Sequence, residues 1–315
     1  MAESAVAVPR TRAKRGSRIA RGENVAGWLW SSPWILGFFV WTLGPMLYSL
    51  YLSFSKYSIA TSPTWVGLAN FQHALSGADS LFWPSLLRTF TWAVVMVPLS
   101  LTGSLLAAVL LNQKLRATPL FRVLFFLPSL TPAVALALLW QWLFQPEFGP
   151  INYLLGMLGV DHPPLWLSDE RLAMPSLMIM TLWGAIGGGT MIIFLAGLQG
   201  VPLELHEAAS IDGAGALRRF FSVTLPMITP TIFFNLVIGV IGALRTFATA
   251  FVATGGGPHY ATWFYILHLY QTAFQSFDMG YASALAWIFF VIVVTLTTLN
   301  VRLSRNWVYY EGETR

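Results

Sequence analysis

The chain has 315 residues, of which 56% are hydrophobic and only 10% are charged, and its net charge is +5. Soluble domains carry about 25% charged residues, so this composition is typical of a protein with several membrane spans. The absence of cysteine excludes disulfides, thiolate chemistry and cysteine-ligated zinc. The basic residues form no stripe, so the positive charge does not indicate nucleic-acid binding.

Residues 1–24 are polar and basic without apolar periodicity, which predicts a disordered cytoplasmic tail. The apolar run after this tail is too long for a signal-peptide core, so we expect it to remain as the first span. The same length criterion predicts five more spans, and six spans place both termini on one side. The predicted spans are 26–52, 84–111, 119–144, 172–198, 226–253 and 279–301.

The distribution of lysine and arginine supports this count, because 14 of the 18 fall in segments predicted to be cytoplasmic. Lys56, Arg88 and Arg171 lie outside or at the outer boundary, and Arg245 lies inside a span. Adding or removing one span would reverse the bias of every later segment. The 14 residues are Arg10, Arg12, Lys14, Arg15, Arg18, Arg21, Lys114, Arg116, Arg122, Arg218, Arg219, Arg302, Arg305 and Arg315.

Three segments are predicted on the outer side. Residues 54–83 and 145–171 are polar with scattered aromatic residues, and single tryptophans there more often anchor the membrane interface than serve a function. The third, 260–277, is apolar but only about seventeen residues long and contains His268. A seventh span there would place Arg302 outside, so we predict a helix that lies at the outer face or dips partway into it.

Two features stand out inside the spans. Three glycines near the middle of the fourth span, 187–189, each cost about 1 kcal/mol of helix preference, which indicates either local unwinding that lines a cavity or close helix packing. Arg245 is the one basic residue well inside a span, where an ionisable group is expensive. We expect it to face a wet cavity, a partner or the outer headgroups.

Residues 201–226 are of mixed polarity between two apolar runs, so this segment returns to water. Pro202 suits a first helical position, Glu204 suits the positive end of a helix dipole, and Gly213 is a natural stop. A second short helix is predicted from 214 to 223. The segment therefore predicts a helix, a glycine turn and a helix. The small Ala208 and Ala209 would allow another protein to approach closely.

Glu207, Ala208, Ala209, Gly213 and the end of this segment, Val223 to Pro226, resemble the EAA motif of permease subunits of binding-protein-dependent ABC importers. The motif reads EAA, three residues, G, nine residues, I, x, LP, and Val223 replaces Ile. The resemblance implies that this loop docks on a separate ATPase subunit, with Asp212 among the coupling residues. The alternative is an interfacial helix that only joins two spans.

The outer segments, the PWILGFFVWTLGP run of the first span and TGGGP at 254–258 resemble the carbohydrate-uptake group, which includes the maltose, lactose and glycerol-3-phosphate permeases, and in particular the F-type partner. The resemblance covers about residues 28–302. Counted from the shared GGP, it implies that a substrate pathway is lined by Ala185, Ile186, Gly189, Gly242, Ala243 and Thr246, although most of these side chains differ from those of the maltose-type permease. We add the neighbouring Arg245 as a pathway residue.

The sequence does not support an enzymatic, nucleotide-binding or ion-coupled function for this chain. His206 and Glu207 lack the second histidine of a zinc-protease motif, because position 210 is serine. No glycine-lysine pair is followed by Ser or Thr, so the chain has no phosphate-binding loop of its own. All thirteen acidic residues fall in tails, loops or span ends, which disfavours an ion-coupled carrier. No cluster of buried His, Asp or Cys suggests a membrane-embedded enzyme.

We therefore predict an all-α, six-span type-1 ABC permease that imports a sugar or sugar-like solute. The expected divisions are the tail 1–24, the first span and outer segment 25–83, the permease domain 84–302 with a coupling loop at 201–225, and the cytoplasmic tail 303–315. Expected partners are a second permease, two ATPase subunits, an extracytoplasmic binding protein and lipid, in a bacterial or archaeal cytoplasmic membrane. No cofactor is expected, because ATP and Mg²⁺ would belong to the ATPase. The alternative is a secondary carrier or facilitator that works alone.

Overall fold

The computed structural model describes residues 18–113 and 116–309, with side chains from residue 25 onward. Within these residues the protein is predominantly helical, which confirms the predicted all-α class. Arg10, Arg12, Lys14, Arg15, Lys114 and Arg315 lie outside them. The helices are α1 Arg18–Phe38, α2 Gly44–Ser53, α3 Ala69–Leu75, α4 Phe82–Leu111, α5 Thr118–Phe126, α6 Ala133–Leu143, α7 Pro150–Met157, α8 Ala173–Ala185, α9 Gly189–Gln199, α10 Leu203–Ile211, α11 Ala216–Arg219, α12 Leu225–Met227, α13 Thr229–Leu244, α14 Ala248–Ala253, α15 Tyr265–Phe274 and α16 Met279–Ser304.

Four helical segments among the described residues are long and apolar enough to cross a membrane: Val25–Ser53, Phe82–Leu111, Thr229–Ala253 and Met279–Ser304. Two helix pairs pass the same test only when their members are taken together. These are α5 with α6, bent by 96°, and α8 with α9, bent by 48°. Each bent pair counted as one span gives the six predicted spans in the predicted order.

The first span is longer than its apolar run. α1 begins at Arg18, so residues 18–24 are helical rather than part of a disordered tail, and this correction has a simple cause. Extending an existing helix adds one hydrogen bond per residue, and Arg18, Ala20, Arg21 and Glu23 in this stretch are residue types that favour helix. A π-helical turn, Phe39–Leu43, joins α1 to α2 just before Gly44 and Pro45, where the missing proline N–H prevents regular bonding.

The bend between α5 and α6 follows from two prolines. After α5 a 3₁₀ turn, Leu127–Leu130, contains Pro128, and Pro132 precedes α6. Thr131 between them is extended, as the residue before a proline tends to be. Both prolines also lack the N–H that a continuous helix needs, so the span changes direction here.

The segments 54–83, 145–171 and 254–278 lie at one end of the bundle, which we call the outer end; the opposite end carries residues 201–226 and is the inner end. A short antiparallel pair, β1 Ser55–Lys56 and β2 Thr64–Trp65, precedes α3 at the outer end. α15 has ten residues and measures about 15 Å, half the thickness of a membrane core. Its Tyr265, Leu267 and His268 are buried, so α15 is an outer helix packed on the bundle and does not span.

α4 is the central helix of the bundle. It packs against α13, α9, α8 and α15. One buried cluster joins Trp92 of α4 to Trp140 of α6, to Phe144 directly after α6 and to Leu177 of α8. A second cluster joins Leu86 of α4 to helices α13, α15 and α16. These two clusters hold α4, α8 and α13 in their relative positions, and these three helices enclose a cavity.

Candidate transport cavity and coupling segment

A cavity of about 340 Å³ lies between α4, the α8–α9 break and the last turns of α13. Its polar groups are hydroxyls of serine and threonine together with backbone at the breaks, and its lining contains no charged side chain. Such a site can exchange hydrogen bonds with a neutral polar solute. The lining residues are Trp92, Met96, Val97, Ser100, Ser129, Thr181, Gly184, Ala185, Gly188, Gly189, Thr190, Gly239, Gly242, Ala243 and Thr246.

The glycine run forms one wall of this cavity. α8 ends at Ala185 and α9 begins at Gly189, so the helix is interrupted where unwinding was one of the two predictions. The other prediction, close packing, describes Gly187, because a Cβ there would overlap the carbonyl oxygen of Phe125. Gly188 and Gly189 then line the cavity. The glycines therefore serve both purposes.

A second break forms the opposite wall. α13 ends at Leu244, and the N–H of Arg245 closes the helix with bonds of 3.3 Å to the carbonyl of Ile241 and 3.2 Å to that of Gly242. Helical geometry resumes only at Ala248 in α14. Thr246 lies in this break and lines the cavity. Gln141 of α6 holds α14 in place by donating to the carbonyls of Val252 and Ala253, each at 3.0 Å.

Five of the seven predicted pathway residues meet in this cavity. They are Ala185, Gly189, Gly242, Ala243 and Thr246. The positions taken from the resemblance therefore converge although they come from two spans.

The other two predicted residues lie elsewhere. Ile186 lines a neighbouring apolar groove of about 410 Å³ with Phe125 and Trp183, and it packs on Gly103 of α4. The reason is geometric, since one residue along a helix turns the side chain by about 100° away from Ala185. Arg245 is exposed at the α13–α14 break and is not part of the lining. It lies three residues after Gly242, on the same helix face, and so borders the cavity.

Sequence reasoning missed the α4 wall. Trp92, Met96 and Ser100 follow one another at four-residue spacing and line the cavity, together with Val97. This spacing marks one helix face. The signal was present in the sequence, but the neighbouring apolar residues of α4 hide it until the packing of α8 and α13 is known. Ser129, in the 3₁₀ turn before α6, was also missed.

The predicted coupling loop forms the helix, glycine turn and helix expected for it. α10 carries Glu207, Ala208 and Ala209, and Gly213 has φ of +80°, a left-handed value that favours glycine. The N–H of Gly213 bonds to the carbonyl of Ser210 at 3.1 Å, and that of Ala214 bonds to the carbonyl of Ala209 at 2.9 Å. This pair of bonds is the Schellman ending of a helix. Asp212 is its C-cap residue and is exposed.

Details of the loop differ from the prediction. Pro202 has extended geometry and caps α10 rather than opening it as the first helical residue. The second helix begins two residues later than predicted, at Ala216, because Gly215 caps it. α11 then continues into a π-helical turn, Phe220–Thr224, which leads toward the fifth span.

The coupling segment projects from the bundle. Ile211 is 87% exposed and Leu217 is 76% exposed, and Leu203 and Phe221 are exposed as well. Glu207 and Ala208 lie on the same exposed side of α10 as Leu203 and Ile211, at spacings of three and four residues. Contiguous exposed apolar residues on a short helical segment are typical of a surface that a partner covers.

A second cavity of about 380 Å³ separates the coupling segment from the inner ends of α4 and α9. Asn112, His206 and Arg219 line it together with apolar residues. Val201 and Leu225, at the two ends of the segment, pack against a buried cluster that includes Leu198 and Ile228, so the segment is joined to the spans at its ends.

A buried polar cluster ties the outer segments together. The carboxylate of Asp79 accepts a hydrogen bond from the hydroxyl of Tyr281 at 2.6 Å and lies 2.7 Å from Nε2 of His268. The indole N–H of Trp263 donates to Nδ1 of His268 at 3.3 Å, so the ring donates to Asp79 from Nε2. The cluster thus connects the segment before α4 with α15 and α16.

The surroundings of Asp79 favour its ionised form. Burial alone would raise the pKa of Asp79, but hydrogen bonds from Tyr281 and from the backbone N–H of Leu81, together with the interaction with His268, outweigh it. The net effect lowers the pKa of Asp79 below its ordinary value. The cluster therefore stabilises the packing of the outer segments against one another, and this stabilisation depends on the charged carboxylate of Asp79.

Residues 100–308 match the family of binding-protein-dependent transport system inner membrane components. The chain is 43% identical over 304 residues to a probable ABC transporter permease protein, YesP, of Bacillus subtilis (strain 168), covering 96% of this chain and 97% of that one. It is 34% identical over 276 residues to the sn-glycerol-3-phosphate transport system permease protein UgpA of Yersinia pestis, covering 87% and 91%.

The fold also matches a solved structure. A chain of a bacterial alginate ABC transporter, in complex with a periplasmic protein that holds an alginate pentasaccharide, superposes with a TM-score of 0.81. The match covers 92% of this chain and 98% of that chain at 20% sequence identity, so it supports the fold.

Proposed function

This chain belongs to the family of binding-protein-dependent transport system inner membrane components, and on that premise we propose that it is the permease subunit through which an ABC importer moves a sugar or sugar-like solute into the cell. The observation that carries the proposal is the meeting of two helix breaks at one hydroxyl-lined cavity. Interrupted helices expose backbone groups to a solute while the rest of each span stays hydrogen-bonded.

Two observations support a sugar or sugar-like solute: the hydroxyl groups that line the cavity, and the solutes named for related transport proteins. Five hydroxyl groups, from Ser100, Ser129, Thr181, Thr190 and Thr246, surround the space, and hydroxyls suit a solute that presents many hydroxyls of its own. The related permease UgpA belongs to a sn-glycerol-3-phosphate transport system, and the solved chain of similar fold belongs to an alginate ABC transporter. AmyD of Thermoanaerobacterium thermosulfurigenes, a probable starch degradation products transport system permease protein, is 30% identical over 281 residues.

The cavity needs a second permease to become a closed pathway. Gly189 and Gly242 line it and are nevertheless exposed in the single chain, so one side of the cavity is open. A homologous permease facing this side would complete the wall, as the family resemblance implies. Arg245, exposed beside Gly242, would then face the pathway or the second permease.

The energy for transport would come from separate ATPase subunits that dock on the coupling segment. The exposed apolar side chains Leu203, Ile211, Leu217 and Phe221 offer the contact surface, and Glu207 lies beside them. Closure of two ATPases on ATP would move both coupling segments and tip the spans between inward- and outward-facing states. ATP and Mg²⁺ belong to those subunits in this proposal.

The outer end would receive the solute from an extracytoplasmic binding protein in a bacterial or archaeal cytoplasmic membrane. Both termini would be cytoplasmic, since six spans return the chain to its starting side. The competing function is a carrier that works without an ATPase. Uptake by reconstituted vesicles with and without the ATPase subunits separates the two functions: solute should accumulate only when the ATPases and ATP are present.

A further inference from the structure

Four polar side chains without a partner line the cavity between the coupling segment and the inner ends of α4 and α9. No hydrogen bond or ion pair of these side chains occurs within the described residues, and the lining contains no acidic side chain. Arginine presents five N–H donors, and histidine, asparagine and threonine each add at least one. A negatively charged ligand with several acceptor oxygens fits these donors. The four side chains are those of Asn112, His206, Arg219 and Thr224.

A second guanidinium lies close to this cavity. Nη2 of Arg122 donates to the carbonyl of Leu111 at 3.3 Å, and Leu111 is followed by Asn112, the C-cap residue of α4. The carbonyl end of a helix alone would disfavour an anion, but the charge of Arg122 offsets this effect. Together with Arg219 in the lining, Arg122 makes the space electropositive.

The cavity faces away from the surface proposed for the ATPase. Arg219 lines the cavity and is partly buried, whereas Leu217 is 76% exposed. Two residues along a helix turn the side chain by about 200°, so Arg219 and Leu217 lie on opposite sides of α11. An ATPase that covers Leu217 therefore leaves Arg219 free to bind a ligand in the cavity.

The cavity lies at the level of the inner lipid headgroups. α4 has 30 residues and measures about 45 Å, which equals the thickness of a bilayer with both headgroup layers, and Asn112 follows its last residue. The apolar part of the lining consists of Val109, Leu198 and Phe220. The exposed Leu106 lies one turn before Val109 on the same side of α4. An apolar path therefore leads from the cavity toward the membrane core.

We propose that this cavity binds the phosphate group of an anionic phospholipid from the inner leaflet. The guanidinium of Arg219 donates to two phosphate oxygens, and Asn112 and Thr224 donate to the others. Basic pockets at the cytoplasmic ends of transmembrane helices suit such headgroups. Inorganic phosphate offers the same chemistry, but the apolar lining and the path along α4 favour a lipid, whose acyl chain they accommodate.

The bound lipid acts on the coupling segment. Val201 and Leu225 join the two ends of this segment to the spans, while the cavity separates its middle from α4 and α9. A lipid in the cavity fills this gap and supports α10 and α11 against the spans. Anionic lipid should therefore increase the transport obtained from ATP hydrolysis, which adds a regulatory ligand to the proposed importer.

The first measurement counts lipids on the complete importer, with both permeases, the ATPases and the binding protein, in detergent. After addition of phosphatidylglycerol, native mass spectrometry should show one more bound lipid on the wild type than on Arg219→Gln. Phosphatidylcholine, whose headgroup has no net charge, should show no such difference. Arg219→Lys should recover part of the binding. Asn112→Asp places a carboxylate in the lining at an exposed position, and it should also lose one lipid.

Arg218→Gln is the matched control, because it removes the same charge from the neighbouring residue, which is exposed and does not line the cavity. It should retain the lipid. Equal lipid counts for the wild type, Arg219→Gln and Asn112→Asp overturn the inference. Equal losses in Arg218→Gln and Arg219→Gln also overturn it, since that pattern indicates attraction by the whole basic surface.

The second measurement compares ATP-driven uptake in liposomes of phosphatidylcholine without and with phosphatidylglycerol. Phosphatidylglycerol should raise the uptake rate at least threefold for the wild type and for Arg218→Gln, each relative to its own rate without it, and should not raise the rate of Arg219→Gln. An equal rise for the wild type and Arg219→Gln overturns the site. Inorganic phosphate added on the ATPase side of phosphatidylcholine liposomes tests the soluble source: a rise that depends on Arg219 with phosphate alone overturns the lipid as the ligand.

The failure of this inference differs from the failure of the proposed function. Release of the ATPases from Arg219→Gln in both kinds of liposome overturns the inference, because Arg219 would then contact the ATPase. Absence of ATP-driven uptake in every liposome, with the additional lipid still bound to the wild type, contradicts the proposed function and leaves the lipid site in place.

Discussion

Gly187 packs directly against the carbonyl oxygen of Phe125, leaving no room for a side chain between them. The contact joins the break in the α8–α9 span to the end of α5, just before the two prolines that bend the α5–α6 span. Two irregular spans therefore support each other at this point. The cavity exists because both are held away from straight helix geometry.

Gly187→Ala should destabilise the protein. The added methyl would overlap backbone atoms, which cannot move as a side-chain tip can, and overpacking of this kind costs about 3 kcal/mol. We expect a lower yield of monodisperse complex and a lower thermal unfolding midpoint in detergent. Gly156→Ala is the control, because a Cβ there meets nothing within 4 Å. Equal midpoints for Gly187→Ala and the wild type would refute the close contact.

The polar cluster around Asp79 should make the stability of the folded protein depend on pH in the acidic range. The pKa of Asp79 is lower in the folded protein than its ordinary value of 3.8. Its ionisation therefore contributes stability that is present above about pH 4 and is lost as the pH falls through the folded pKa. Asp79→Asn should lower the unfolding midpoint at pH 7, and the difference from the wild type should shrink near pH 3.

Asp161→Asn is the control for this measurement, since Asp161 is exposed at the outer end. It should leave the midpoint unchanged at both pH values. If Asp79→Asn behaves like this control at pH 7, the cluster with His268 and Tyr281 does not stabilise the fold.

Changes in the coupling segment should uncouple transport without unfolding the spans. Gly213→Val forces a branched side chain into a left-handed conformation that costs about 1–2 kcal/mol, and Glu207→Ala removes an exposed charge. Each variant should assemble in normal amounts yet show ATP-driven uptake reduced at least tenfold. Gly215→Ala is the control, because this glycine has room for a Cβ and no left-handed φ. Normal uptake by Glu207→Ala and Gly213→Val would exclude this segment as the coupling element.

The orientation of the chain can be measured with reporters. Six spans predict that a reporter fused after Pro258 is extracytoplasmic and that one fused after Arg305 is cytoplasmic. Alkaline phosphatase, active only outside, and green fluorescent protein, fluorescent only inside, provide opposite readouts at each site. Activity of phosphatase after Arg305, or fluorescence after Pro258, would contradict six spans.

Much of this architecture could be predicted from the sequence because membrane spans are long and uniform in composition. The six spans follow from apolar length, and the turn at Gly213 follows from residue type and spacing. The interruption at 187–189 could be anticipated from helix preference, although the contact of Gly187 with Phe125 could not.

Other features depend on helix phase or on distant pairs. Ile186 was predicted to line the cavity, but the rotation between neighbouring residues turns it into the adjacent groove. His268 and Asp79 are 189 residues apart, and no local pattern connects them. The α4 wall was missed because Trp92 and Met96 resemble any apolar residues until α8 and α13 are placed. The sequence-based start of α1 was wrong because hydropathy marks the membrane and not the end of the helix.

We propose that this chain translocates solute only as part of an ATP-driven importer. Uptake of a radiolabelled solute by vesicles measures it directly, with the chain reconstituted alone, with its second permease, and with the permeases, ATPases and binding protein together. We expect uptake against a gradient only in the complete set with ATP, and we expect it to be abolished when ATP is replaced by a non-hydrolysable analogue. Uptake by the permeases without ATPases, driven by an ion gradient or by diffusion alone, would contradict it.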